Sequence, residues 1–416
     1  MTLRCLWVLA FACACGVVPY GHAAEPLRLE EAVARALQAN PAIQAETARL
    51  EAARNRASRE ALPTPYVIGG ELENVAGTGS LSGATSAETT LRIGRVLELG
   101  GKRAAREALG RAEVSQQGNA ADVAQLEVTS STALRFIQVV ADQEHIEHAD
   151  ERVQQAERTR REVARWVQAA RNPDSDLRVA EIALTDAELE REQAGQALVA
   201  SKARLAASWG AFAPDFERVA ADLDTLPALG DFDALAARLP ATPEQRAAEL
   251  EAQTIAARRR VAVTSAKPDL NVSLGVRRLE ATNDQGLVMS VSVPLGNRRR
   301  SDYSVAEADA DLSALKARTE ATRIERRQQL FDRYQAMQQA QSEVTSLRQR
   351  MLPKAEDAVR LTRRGFEAGR FSFLALMQAE KTLFDLRERQ VDAAARYYTL
   401  LVEVERLTAP VSDRIP

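Results

Sequence analysis

The sequence predicts a mainly α-helical protein that also contains a membrane-spanning β part. Three observations predict this class: two very long segments of helical composition, four short segments in which apolar and polar residues alternate, and a duplication of the whole arrangement. The 416 residues are 27% charged and only 5% aromatic, and 55 basic residues nearly balance 58 acidic ones. Such composition is typical of long exposed helices and provides no basic surface for nucleic acid.

The first 24 residues are predicted to be a secretory signal peptide. A basic residue near the start, an apolar run over 5–18 and small residues at 21–24 give the required pattern. All three cysteines, at positions 5, 13 and 15, lie inside this segment, so disulfides and thiolate metal sites are excluded from the mature chain. An alternative is that residues 10–13 form a lipobox and that Cys13 is lipidated. In either case the protein is predicted to be exported.

Two structural repeats are predicted, at 25–240 and 241–416. Each repeat begins with a helix that a capping residue and a proline open, namely Asn40-Pro41 and Thr242-Pro243. Asn and Thr accept hydrogen bonds from the first helical turn, and proline at the first helical position loses no bond. The same opening at corresponding places supports the duplication.

A β-hairpin follows each opening helix, at about 65–99 and about 268–295. In the second hairpin apolar residues alternate with polar or small ones, as in a half-buried strand, whereas Arg95 interrupts the pattern in the first. Each run has roughly the length that a tilted strand needs to cross a bilayer. We therefore predict that one face meets lipid, through Leu287, Met289, Val291 and Val293.

Each hairpin leads into a coiled helical hairpin, at about 101–208 and about 300–407. Apolar residues recur every seven positions, at Leu330, Met337, Val344 and Met351 and again at Met377, Phe384, Val391 and Tyr398. This period predicts coiled-coil packing, and Pro353 should kink the outward helix. A purely structural coiled coil is the alternative, but it leaves four amphipathic strands unexplained. Four strands also leave open edges, so a barrel would close only in an oligomer.

The layout from about residue 27 to 410 resembles the TolC-like outer-membrane efflux proteins, and within them the outer-membrane subunits of cobalt–zinc–cadmium heavy-metal efflux systems. Three motifs in order carry this resemblance: LELGGKR at 97–103, VPLGNR at 293–298 and FEAGRFS at 366–372. The resemblance implies a homotrimer whose chains form a twelve-stranded barrel in the outer membrane of a Gram-negative bacterium, above a periplasmic helical tunnel.

The resemblance also implies partners and a division of the chain. A periplasmic adaptor (a membrane fusion protein) and an inner-membrane RND pump would dock at the far end of the tunnel, and outer-membrane lipid would surround the barrel. Segment 209–240 would form part of a belt around the tunnel. The polar strand residues would line a wet lumen, namely Asn271, Ser273, Ser290 and Ser292.

The turns between the coiled helices are the predicted adaptor-docking tip. They comprise Asn172, Pro173, Asp174 and Ser175 in the first repeat and Gly369, Arg370, Phe371 and Ser372 in the second. We expect Gly369 to reverse the chain because glycine adopts the left-handed conformation cheaply, and Asn172 with Pro173 to serve the first repeat. Three copies of Asp174 and Asp176 would form a carboxylate ring that filters cations. The alternative is that both aspartates cap the returning helix.

The sequence contains no catalytic constellation and no phosphate-binding loop, so no enzymatic activity or cofactor is expected. The metal-site candidate is a helical cluster around His145 and His148, with Asp142, Glu144, Glu147 and Asp150 beside them. The alternative is an ordinary solvated coiled-coil face. The predicted function is a passive outer-membrane exit duct of a tripartite efflux system for heavy-metal cations. Alternatives are a duct for drugs or for type I protein secretion, and a soluble periplasmic coiled-coil scaffold.

Overall fold

A computed structural model describes residues 25–410. The predicted signal peptide and Cys13 lie outside the described residues, as does segment 411–416. The first half comprises helices α1 (Leu29–Ala39) and α2 (Pro41–Glu60), strands β1 (Tyr66–Glu73) and β2 (Glu88–Leu97), and helices α3 (Lys102–Gln168) and α4 (Asp174–Ala206). The second half comprises α5 (Phe232–Ala236), α6 (Pro243–Ser265), β3 (Leu270–Leu279), β4 (Asp284–Ser292), α7 (Asn297–Ser346), α8 (Leu352–Glu367) and α9 (Phe373–Thr408).

The opening helices of the two halves begin with the predicted caps. The Asn40 side chain accepts a hydrogen bond from the Ala42 N–H at 2.8 Å, and Pro41 occupies the first helical turn. In the second half the Thr242 hydroxyl accepts from the Gln245 N–H at 3.4 Å. Both helices end shortly before a hairpin, so the order of helix, two strands, long helix and returning helix occurs twice.

The two hairpins join into one antiparallel sheet with strand order β1-β2-β3-β4. The register pairs Ile68 with Ile93, Ile93 with Leu274, and Leu274 with Met289. Directly opposed residues share a face of a sheet, so this row of apolar side chains runs across all four strands on one face. Most of these side chains are exposed in the single chain, with Ile68 80% and Met289 70% exposed.

Arg95, which interrupts the apolar pattern of the first hairpin, is accommodated by two local contacts. Its guanidinium carbon lies 4.9 Å from the centroid of the Tyr66 ring, and its Nε donates to the Thr64 carbonyl at 3.0 Å. The charge therefore sits at the end of the apolar face nearest the helices rather than within it.

The helices form a wall beneath the sheet. Helix α3 packs laterally between α2 and α6, and α6 packs between α3 and α7. The 67 residues of α3 extend about 100 Å at 1.5 Å per residue, and α4 returns along it. Within residues 25–410, no helix combines the length and hydropathy that crossing a membrane requires.

The predicted heptad positions of α7 are confirmed except at its end. Leu330, Met337 and Val344 are almost fully buried, whereas Met351 is 39% exposed. A π-helical turn at Leu347–Met351 directly precedes α8 and its Pro353. This wider turn shifts the helical phase by one residue, so that Met351 turns outward, Leu352 is half-buried and Ala355 is buried. The interruption expected at Pro353 thus takes the form of a π turn.

The predicted seven-residue line of α9 is displaced by one residue. The buried side chains are Leu376, Leu383 and Tyr397, whereas Met377, Phe384 and Tyr398 are only half-buried beside them. Val391 is buried as predicted. The displacement arises because α9 packs against α3, α7 and α8 at once, so a broad face is covered rather than one narrow seam.

Candidate functional site

The two chain reversals lie side by side at the far end of the coiled helices. Phe366, at the end of α8, packs against Trp166 of α3 with ring centroids 4.5 Å apart and against Phe373 of α9 at 5.7 Å. The same cluster includes buried Ala180 of α4, so all four helix ends share one small core. This core holds both turns in a fixed position relative to each other.

The second turn closes as a Schellman motif around Gly369. Its φ of 69° is left-handed; its N–H donates to the Phe366 carbonyl at 2.9 Å, and the Arg370 N–H donates to Gly365 at 2.8 Å. The Ser372 hydroxyl then caps α9 by accepting from the Ala375 N–H at 3.3 Å. The prediction that Gly369 reverses the chain is confirmed.

In the first turn the residue that reverses the chain is Ala170, and the expectation for Asn172 and Pro173 is wrong. Ala170 has a φ of 57°, and the Arg171 N–H donates to the Trp166 carbonyl at 2.8 Å, as in the second turn. Pro173 is instead the extended N-cap residue of α4. A Schellman motif requires a left-handed residue directly after the C-cap of the helix. In the first turn the C-cap is Ala169, and the residue after it is Ala170.

Replacing Ala170 with glycine is expected to stabilise the protein by about 1 kcal/mol, because a left-handed L-residue carries a steric cost that glycine lacks. The measurement is the midpoint of thermal or denaturant unfolding. Ala169→Gly is the matched control, since Ala169 has a φ of −86° and glycine there only adds freedom to the unfolded chain. An equal response of the two variants would contradict strain at Ala170.

The two aspartates of the proposed cation ring lie in the first turn of α4 and do not cap it. Asp174 is exposed, and Asp176 is half-buried and accepts a hydrogen bond from the Asn172 amide at 2.7 Å. The N-cap residue, Pro173, makes no side-chain capping bond, so the capping alternative is wrong. Carboxylates in the first turn still interact favourably with the helix dipole. A ring would require other copies and stays a prediction.

The side chains around His145 and His148 point to different partners. His145 Nε2 lies 3.1 Å from an Asp392 oxygen on α9, while burial lowers the pKa of His148 and leaves its Nδ1 without a hydrogen bond. The neighbouring carboxylates pair elsewhere, Glu147 with Arg218, Asp150 with Arg191, and Asp142 with Gln138. Among residues 25–410 no three His, Cys, Asp or Glu side chains converge on a metal position.

Glu380 of α9 is a buried charge that the sequence analysis missed. Its side chain is 7% exposed and accepts hydrogen bonds from Gln155 of α3 at 3.0 Å and from Arg363 of α8. Burial raises the pKa of Glu380 even though Arg363 opposes the shift. The contacts tie three helices together near the tip. A signal was present, because Glu380 falls between Leu376 and Leu383 at a core position of the coil.

The chain between α4 and α5 contains a turn at 222–225 that is hydrogen-bonded to the π turn after α7. Arg348 donates to the Leu223 carbonyl at 2.9 Å and to an Asp224 carboxylate oxygen at 3.0 Å. From α9, the Tyr398 hydroxyl donates to the Thr225 carbonyl, and the Asp222 carbonyl lies 3.3 Å from the same hydroxyl. These contacts hold segment 222–225 against the π turn that separates α7 from α8.

Glu144 of α3 faces this turn, and its pKa is raised to about 7 by burial and by the charges of Asp224, Asp222 and Glu147, while Arg348 opposes the shift. Because the folded pKa exceeds the ordinary value of 4.5, the folded state should lose stability as pH rises from about 4.5 to about 7 and change no further above it.

The Glu144→Gln variant should remove this part of the pH dependence. We expect its unfolding temperature to vary less between pH 5 and pH 8 than that of the unchanged protein, and Glu188→Gln, at an exposed position of α4, provides the control. Parallel profiles for Glu144→Gln and the unchanged protein would contradict the assignment.

The polar face of the sheet is charged towards the hairpin loops and neutral towards the helices. Arg277 pairs with Glu88 at 2.8 Å and with Glu73 at 3.1 Å. The neutral part holds Asn271, Ser273, Ser290 and Ser292, with the Asn271 amide 3.3 Å from the Ser292 hydroxyl. On the other face the predicted lipid-facing residues are all exposed, Leu287 81%, Met289 70%, Val291 53% and Val293, just beyond β4, 44%.

Residues 239–409 match the family model described as outer membrane efflux protein. The chain is 29% identical to the cobalt-zinc-cadmium resistance protein CzcC of Cupriavidus metallidurans, over 93% of this chain and 91% of that protein. It is 30% identical to the nickel and cobalt resistance protein CnrC of the same organism, over 74% and 73% of the two chains.

Solved structures share the fold. The crystal structure of CusC covers 92% of each chain with a TM-score of 0.76 at 16% identity. The outer membrane protein VceC from Vibrio cholerae matches with a TM-score of 0.76 at 17% identity, over 92% of this chain and 96% of that one. The predicted fold class, long helical hairpins with a small four-stranded sheet, is therefore confirmed.

Proposed function

Since the chain belongs to the outer membrane efflux protein family, we propose that it is the outer-membrane exit duct of a tripartite efflux system for heavy-metal cations. One observation supports the assignment as a duct most strongly. A four-stranded sheet with a continuous exposed apolar face and two open edges is joined end-on to helices about 100 Å long. Exposed apolar surface of this extent needs a lipid or protein partner.

Three copies would close the duct. Open strand edges leave backbone groups unpaired, and within a lipid bilayer such groups must be satisfied by a closed barrel. Joining β4 of one copy to β1 of the next around a threefold axis gives twelve strands, with the apolar face outward and Arg277, Ser273 and Ser290 inward. The wall of helices would continue the barrel as a periplasmic tunnel, which segment 209–240 surrounds as a belt. The halves 25–240 and 241–416 would be its two repeats.

The partners are a periplasmic adaptor and an inner-membrane RND pump that contact the tip. The docking residues we propose are those of the two turns, Asn172, Pro173, Asp174 and Ser175 with Gly369, Arg370, Phe371 and Ser372. Phe371 is 52% exposed although its ring packs over Gly365, which leaves an apolar edge available to another protein. The duct itself performs no chemistry, because its role is to conduct what the pump delivers.

Heavy-metal cations are proposed as cargo because the relatives CzcC and CnrC carry cobalt, zinc, cadmium and nickel resistance in their names. The test is a deletion strain carrying the gene on a plasmid, with growth measured against cobalt, zinc, cadmium, nickel and a drug panel. Restored metal resistance alone supports this cargo, whereas restored drug resistance alone would favour a drug duct.

Fractionation tests the duct against a soluble periplasmic scaffold. We expect a heat-modifiable trimer in detergent extracts of outer membranes. Recovery of the chain as a soluble periplasmic monomer would overturn the duct.

A further inference from the structure

The end of the sheet nearest the helices exposes leucines where strands and helices join. Leu62 lies between α2 and β1, Leu99 between β2 and α3, and Leu295 between β4 and α7. Their side chains are 62%, 46% and 86% exposed, respectively, so none of them belongs to the core of the chain. The exposed apolar surface of the sheet therefore continues to the level at which the helices begin.

Three consecutive arginines lie just beyond this level, in the first turn of α7. They are Arg298, Arg299 and Arg300, and the first of them follows the end of β4 at Ser292 by six residues. All three are exposed, and none forms a side-chain hydrogen bond or an ion pair with any residue between 25 and 410. The first turn contains no acidic residue, and Asp302 is exposed and equally unpaired within that range. Because the helix dipole also opposes positive charge here, the cluster is electrostatically unfavourable in the single chain.

Lys267, directly after the C-cap of α6, adds a fourth positive charge at the same level. The Ser301 hydroxyl donates to the Ala262 carbonyl at 2.6 Å, which places the start of α7 beside the end of α6. The stem of Lys267 packs over Gly100, since a Cβ on that glycine would lie 2.3 Å from the Lys267 Cδ. The lysine is exposed and forms no ion pair within residues 25–410. We call Lys267 and Arg298–Arg300 the basic rim.

The first half of the chain pairs its basic residues at the equivalent junction internally. At the start of α3, Lys102 donates to an Asp269 carboxylate oxygen at 2.7 Å, and Arg106 pairs with Glu98. These four side chains are at most 28% exposed, so the two pairs are partly shielded from solvent. The basic rim has no such carboxylates among residues 25–410, and its charges are available to an anion from outside the chain.

At least one arginine of the basic rim reaches the outer surface of the helix wall. Ser301 faces the neighbouring helix α6, and successive residues of a helix point about 100° apart. Arg298 and Arg300 therefore project towards opposite surfaces of the wall, and Arg299 points away from α6. In the proposed duct, one of the two opposed arginines faces outward and the other faces the lumen.

We propose that the basic rim binds the phosphate groups of anionic phospholipids in the periplasmic leaflet of the outer membrane. The inference rests on the proposed duct, in which the apolar face of the sheet meets lipid. Exposed leucines followed by guanidinium groups match the order of acyl chains and phosphates at a membrane surface, and arginine can donate two parallel hydrogen bonds to a phosphate. Basic clusters beside a membrane-embedded segment attract anionic lipids. The phosphate belongs to a lipid because the rim adjoins the apolar surface of the sheet.

Lipid binding to the purified trimer tests the inference. The trimer in neutral detergent is mixed with phosphatidylglycerol, phosphatidylcholine or inorganic phosphate, and bound molecules are counted by native mass spectrometry. We expect phosphatidylglycerol to bind most tightly, and the triple variant Arg298→Gln, Arg299→Gln, Arg300→Gln to bind it about tenfold more weakly. The matched control removes three other exposed arginines that form no ion pair within residues 25–410 and lie far from the sheet, and it should bind normally. Its substitutions are Arg171→Gln, Arg350→Gln and Arg364→Gln.

The outcomes separate this inference from the duct itself. Weaker binding of phosphatidylglycerol by the triple variant but not by the control supports the lipid site. Unchanged binding by the triple variant, equal binding of phosphatidylcholine, or binding of inorganic phosphate alone overturns the lipid site and leaves the duct intact. If the triple variant does not assemble, the single variants Arg298→Gln and Arg300→Gln replace it; weaker binding by one of them supports the site, and normal binding by both overturns it. A soluble periplasmic monomer overturns both the duct and the lipid site.

Discussion

Replacing Met289 with arginine is expected to prevent assembly in the outer membrane, whereas replacing the adjacent Ser290 with arginine should leave assembly intact. Met289 lies on the apolar face of β4, opposite Leu274, and Ser290 lies on the polar face, opposite Ser273. An arginine on the lipid side of a barrel costs about 2–4 kcal/mol near the bilayer midplane. In a trimer this cost would arise three times, and the same charge in a water-filled lumen carries almost none.

The amount of trimer extracted from outer membranes measures the effect, with total expression measured in parallel. Leu287→Arg should behave like Met289→Arg, because Leu287 shares its face and is 81% exposed in the single chain. Equal loss for Met289→Arg and Ser290→Arg would mean that the faces are wrongly assigned. Normal trimer yield for both would remove the argument that this sheet meets lipid.

The faces of the strands could be predicted from the sequence because side chains alternate strictly along a strand. The joining of both hairpins into one sheet could not, since β2 and β3 pair across more than 170 residues of chain, as between Arg95 and Val272. Arg95 also shows that alternation alone does not predict how a charged side chain is accommodated on the apolar face. Its contacts with Tyr66 and Thr64 depend on neighbours that period two does not specify.

The coiled helices were predictable in extent but not in phase. The seven-residue period of α7 holds until the π turn at Leu347–Met351 adds one residue, and beyond it the inward position moves from Met351, which is exposed, to Leu352, which is half-buried. The two turns at the tip also differ in how well the sequence predicts them. A glycine at position 369 predicts a turn, whereas the equivalent position in the first half holds Ala170, a residue type that does not predict one.

Replacing Gly369 with valine is expected to abolish efflux while leaving the trimer in the outer membrane. A Cβ at this position would meet no atom within 4 Å, so no clash with the rest of the chain opposes the substitution. The obstacle is the φ of 69°, which costs an L-residue about 1–2 kcal/mol, with more expected for a β-branched side chain. The turn should relax to another conformation and displace Arg370 and Phe371 from the proposed docking surface.

Gly369→Asn is the matched control, because asparagine tolerates the left-handed conformation and should retain most of the resistance. The sheet lies about 100 Å away along the helices, so trimer yield should be normal in both variants. Trimer yield and metal resistance are measured in the same cells. Normal yield with normal resistance in Gly369→Val would place adaptor docking elsewhere on the tunnel. Loss of the trimer would instead make Gly369 a folding position, because the small aromatic core of Phe366 and Trp166 that holds both turns would then be required for assembly.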